Sequence, residues 1–165
     1  MRIPRPEHRG PSTERGYTFI ELLVVSAIII ILAAAAMPLA KVTATRQREA
    51  ELRRALRDMR TAIDKFKDSA DLGQISPLEI KAGSEGYPED LETLVKGVPA
   101  ANDVTGRKIK FLRRVPIDPM TKSTEWGLRS YQDNPDATSW GGQNVFDVHT
   151  TSSGTGLDGT KYKDW

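Results

Sequence analysis

Hydrophobic positions change their pattern twice along this chain. From Tyr17 to Ala40 the run holds Phe19, Ile20, four residues from Leu22 to Val25, five from Ile28 to Leu32 and the alanines 33 to 36, so every face of a helix is apolar. That is the pattern of a membrane span rather than of an amphipathic surface helix. At about 1.5 Å rise per residue the run reaches roughly 35 Å, enough to cross a hydrocarbon core of roughly 30 Å with some tilt. After it, Leu52, Leu56, Met59, Ile63 and Phe66 recur at spacings of four and three, with Arg53, Arg54, Arg57, Asp58, Arg60 and Lys67 on the other faces. This predicts an amphipathic continuation of the helix over residues 41–72, its stripe packed on the protein's own head and Gly73 as its stop.

Beyond Gly73 the apolar pieces are short and separated by Gly, Pro, Asn, Asp and Ser. Pro88, with Glu89 and Asp90 behind it and Gly97 beyond, predicts a short helix. Strands are expected in 109–117, 127–133 and 143–150, around Phe111, Leu112, Val115, Tyr131, Val145, Phe146 and Val148. The predicted fold is α+β: a long N-terminal helix, its first half membrane-spanning, packed against a small C-terminal antiparallel sheet in a head of residues 73–165.

Two residues break the apolar run. Pro38 deletes an amide donor and clashes with the preceding turn, which predicts a kink or local melting there. Glu21 places a carboxylate in a segment where an ionised acid costs on the order of 3 kcal/mol, so it is a functional candidate by default. A blander reading sets it only about 6 Å along the helix from Tyr17, within reach of the headgroups. A cut after Gly16 would give Tyr17 an α-ammonium with pKa near 8, one turn from Glu21 and at the positive end of the helix dipole. Such a pair offsets part of the desolvation of both charges and can fix the register between neighbouring helices.

Composition narrows the function. The chain has 165 residues, a net charge of +2 and no cysteine, so disulfides and cysteine-zinc sites are excluded. Residues 1–16 carry Arg2, Arg5, Arg9 and Arg15 against Glu7 and Glu14, and the remainder is close to neutral, which removes a global electrostatic case for nucleic-acid binding. Basic residues flank both ends of the apolar run, so their count does not set its orientation. His8 lies in the leader and His149 is then the only other histidine; no nucleotide loop, metal-ligand pair or nucleophile motif is present, and no enzyme is expected.

The stretch Gly16-Tyr17-Thr18-Phe19-Ile20-Glu21-Leu22-Leu23-Val24-Val25 resembles the class III signal of type IV pilins and type II secretion pseudopilins. The resemblance implies a leader of residues 1–16 cut after Gly16 by a prepilin peptidase, N-methylation of Tyr17, a directing role for Glu21 in subunit docking, and a weak point at Pro38. In the head, Tyr87-Pro88, Val115-Pro116-Ile117-Asp118-Pro119, Trp126-Gly127, Phe146-Asp147-Val148 and the tail from Gly156 to Trp165 are similar in order and spacing to the major, G-type pseudopilin of type II secretion. That implies an inner-membrane, single-pass subunit with a cytoplasmic N-terminus and a periplasmic head. Its implied partners are further copies of itself, minor pseudopilins, the membrane platform with its secretion ATPase, and the lipid bilayer. Many members bind calcium in this tail, which would fall on Asp147, Asp158 and Asp164; the tail lacks an adjacent Asp-Asp pair and carries Lys161 and Lys163 instead.

Competing expectations are a type IV pilin or competence pseudopilin, which share the N-terminal signal, and a monomeric membrane-anchored binding module. A secretory signal peptide cleaved within the alanines 33 to 36 is a further rival, but its apolar region would be long and would contain Glu21.

Overall fold

The computed structural model describes residues 16–101, 103, 105–137 and 139–165, with the side chains of 35–39 outside the described set. Two compact units are present, Met1–Val42 and Thr43–Trp165. Helix α1 runs from Phe19 to Asp71. Thr18 opens it: its carbonyl accepts the amides of Glu21 and Leu22 at 3.1 and 3.2 Å. The other end closes in a Schellman turn, with the Gly73 amide on the Ala70 carbonyl, the Gln74 amide on that of Ser69, and Gly73 at φ +65°. Only glycine takes that conformation without steric cost, which is why the helix stops where the sequence predicts. The helix passes Pro38 unbroken, which corrects the local melting expected there.

In the second unit the predicted stripe is the core. Leu52, Leu56, Met59, Ile63 and Phe66 are all buried, joined by Ala55 and Ala62. Against them pack Leu94, Val98, Trp126, Val145, Val148 and Tyr162, and the Phe111 ring meets Phe66 edge-on at 5.2 Å. Helix α2, Leu91–Lys96, is capped by Asp90, whose carboxylate accepts the Thr93 amide at 2.7 Å, and ends at Gly97 with φ +76°.

The strands are shorter than predicted, and they form two ladders instead of one sheet. β1 (Val98–Pro99) pairs antiparallel with β2 (Lys108–Ile109), and β3 (Gly127–Arg129) with β4 (Asp147–His149). The expected strand over 109–117 fails because its amides go elsewhere: Phe111 and Leu112 both donate to the Leu94 carbonyl at 3.0 Å, and Pro116 has no amide to give. β3 stops at Arg129 because side chains capture the next amides. Asp133 takes that of Ser130 at 2.7 Å and Asn144 that of Tyr131 at 3.0 Å. The architecture is α+β, a helix packed with small antiparallel sheets, consistent with the expected arrangement.

Candidate processing and assembly site

The predicted cleavage junction lies open. Among the described residues, no atom beyond the chain neighbours of Gly16 comes within 4 Å of where a Cβ would stand, and Tyr17 is 76% exposed. A peptide bond in such a position is free to enter the active site of a processing enzyme. One residue on, the Thr18 hydroxyl accepts the Glu21 amide at 3.3 Å. This makes Thr18 the N-cap and puts Glu21 at the third helical position, the Thr-x-x-Glu spacing of a capping box. The Glu21 carboxylate therefore lies in the first turn, where a negative charge complements the positive end of the helix dipole. Thr18 has no role in the sequence reading, although its spacing to Glu21 carries the signal.

The side chains around Glu21 are bare: Phe19, Ile20, Leu22 and Leu23 are each more than half exposed, and the exposure continues through Leu32. No helix among the described residues is long and apolar enough to cross a membrane; the described apolar side chains run to Ala34 before the gap at 35–39. The Pro38 side chain lies in that gap, outside the described residues.

The three aspartates predicted for calcium are not brought together, and no group of three or more ligating side chains is found among the described residues. Asp147 holds Arg60, Oδ1 to Nε at 2.7 Å, while the same guanidinium donates to the carbonyls of Val148 at 3.1 Å and Trp165 at 2.8 Å. Asp158 accepts the Thr160 hydroxyl and amide at 2.6 and 2.9 Å and pairs with Arg53 at 3.2 Å. The Thr160 hydroxyl bond, ahead of the Arg53 charge, holds the Asp158 carboxyl below the usual aspartate range. Calcium ligation by Asp147 and Asp158 would require their pairs to Arg60 and Arg53 to open.

What the tail residues do instead is fasten the end of the chain to α1. Glu49 accepts the Leu157 amide at 2.8 Å and the Tyr162 hydroxyl at 3.1 Å, and the Arg53 guanidinium lies 4.0 Å from the centre of the Trp165 ring. Burial, with the bond to Glu49 behind it, pushes the Tyr162 phenol up. Glu49, Arg53 and Arg60 were not separable in sequence from their solvated neighbours, because a polar residue on a helix carries no mark of what crosses over it.

The Val115–Pro119 segment is tied into the head by polar bonds. Fully buried Asp118 accepts the Thr150 hydroxyl and, at 2.7 Å, the Met120 amide; the Trp126 indole donates to the Pro116 carbonyl at 3.0 Å. His149, half-buried in β4, has its ring across from Gly127. Burial first, and the Arg129 charge second, push its imidazole below the ordinary histidine value.

An open glycine junction, a glutamate in the first helical turn and an exposed apolar helix lie in one segment, and comparison with known families bears on it. Residues 11–37 match the prokaryotic N-terminal methylation motif. The methylation motif contains Gly16, Tyr17 and Glu21 and supports the pilin-like class, with processing by a prepilin peptidase. No curated protein and no solved structure matches the chain.

Proposed function

We propose that the chain is the precursor of a structural subunit of a type II secretion pseudopilus. A prepilin peptidase cuts between Gly16 and Tyr17 and methylates the new N-terminus. The mature chain is held in the inner membrane by residues 17–40 with its head in the periplasm, and it polymerises to drive export of folded proteins. The observation that carries this reading is the methylation motif laid over an open Gly16–Tyr17 junction, with Glu21 one helical turn behind it. In a fibre the bare apolar side chains of α1 would form the core, and each Glu21 would meet a neighbour's N-terminal ammonium.

The narrower choice of a pseudopilus over a type IV pilin or a competence pseudopilin rests on the head. The segments similar to the G-type pseudopilin supply framework residues: Pro116 bonded to Trp126, Asp118 bonded to Thr150 outside them, and Asp147 paired with Arg60 of α1. Peptide mass spectrometry of the protein from native membranes tests the reading directly. A chain beginning at methylated Tyr17 is expected; one beginning at Met1 or after the alanine run would exclude it. The Glu21→Ala variant is expected to be cut and methylated normally yet to form no fibres, and wild-type fibre yield from it would remove the assembly role.

A further inference from the structure

An apolar groove and an apolar knob of complementary charge are built from different residues of the head. The groove, of about 910 Å³, runs between α1 and residues 111–117, with Ala55, Ala62, Phe111, Val115 and Ile117 among its lining and Ile117 itself 65% exposed. Arg54, Lys65, Arg113 and Arg114 stand along it, and none has an ion-pair partner among the described residues. Glu51 and Asp58 also line the groove, leaving its charge positive.

The knob is the 3-10 turn Pro77–Glu79. Its tip, Leu78, is 94% exposed, the barest large apolar side chain of the described residues, and Glu79 beside it has no ion-pair partner among them. The turn is not a loose end. Ile75 at its base is fully buried and bridged to Ala100, the Ser76 amide donates to the Pro99 carbonyl at 3.2 Å, and the Ile80 amide closes on the Pro77 carbonyl at 3.3 Å. Proline fixes the backbone at its first position, so little entropy is lost when the turn is held.

We propose that the groove docks the Pro77–Glu79 turn of a second copy of this chain, Leu78 entering between α1 and residues 111–117 and Glu79 meeting the arginines at the rim. Groove and knob are built from different residues, so a single contact is heterologous, and a pair joined by one such contact leaves one knob and one groove open to further copies. Burial of Leu78 supplies attraction, and the acid beside four cations supplies register. The contact deepens the polymeric reading above and depends on it.

The absence of cysteine from the chain makes the test direct. Two full-length copies with different tags, one Leu78→Cys and one Ile117→Cys, are co-expressed, and their membranes are oxidised. A mixed disulfide dimer is expected, absent when either variant is expressed alone. Arg113→Glu with Arg114→Glu in the Ile117→Cys copy should lower its yield about tenfold, and Glu79→Lys in the other copy should restore it. Tagged copies that co-purify without forming the mixed dimer would overturn the contact and leave the polymer standing. Homodimers from one variant alone would equally overturn it, and copies that fail to co-purify would sink both. Both cysteines replace exposed residues, so thermal melts matching the wild type verify that the heads are folded.

Discussion

His149 and Gly127 face each other across the β3–β4 ladder, and each constrains the other. A Cβ at Gly127 would stand 2.3 Å from the His149 Nε2, so Gly127→Ala must displace a half-buried ring and is expected to destabilise the head by about 1–3 kcal/mol in urea unfolding. The ring also makes stability depend on pH. Because burial and Arg129 depress the folded imidazole's pKa, while Asp147 opposes them, the unfolded chain binds a proton that the folded chain resists. The contribution is fully present above the ordinary histidine value of 6.5 and is lost as pH falls below it toward the folded value. Urea midpoints should therefore drop between about pH 7.5 and about pH 5.5, by more in the wild type than in His149→Gln; equal drops would remove the assignment. In the sequence Gly127 stood only as part of the Trp126-Gly127 segment, since the need for a bare Cα arises from the register that sets it against the imidazole.

Among the elements, α1 was the most legible. Its boundaries follow from Gly73 and the apolar run, and its buried stripe from a spacing of three and four, because helical periodicity is a local property that side chains state directly. The strands were poorly legible for the opposite reason. At two or three residues each they are too short for alternation to show, and their ends are set by acceptors far along the chain: Leu94 for the Phe111 amide, Asn144 for that of Tyr131. The same holds for the tail, whose attachment to α1 runs through Arg60. That guanidinium satisfies Asp147 and two carbonyls at once, in a partly buried setting. Arg60→Ala strands all three acceptors and is expected to cost about 2–4 kcal/mol, lowering the melting temperature and raising amide exchange at β4 and Tyr162–Asp164. Arg53→Ala, at an exposed pair, should cost about 1 kcal/mol or less.

At the scale of the whole molecule, the N-terminal signal was readable because its chemistry is carried by adjacent residues, and the methylation motif over residues 11–37 bears that part out. The head's likeness to one kind of pseudopilin is carried by short segments separated along the chain, which come together only in the fold. The place of Thr18 bears on how precursor and product differ. The cap, Thr18, is the second residue after the proposed cut, so among the described residues the hydrogen bonds that start α1 lie on the retained side. Purified precursor and mature chains in the same detergent should show equal helical ellipticity per α1 residue; a gain of more than a turn on cutting would contradict it. On the proposed cut, the start of α1 would need no refolding, and an arginine-rich extension would be exchanged for a single ammonium. Under the proposed function, the peptidase would act as an electrical switch on a helix already built, and precursors would be released for polymerisation at the rate of a single peptide-bond hydrolysis.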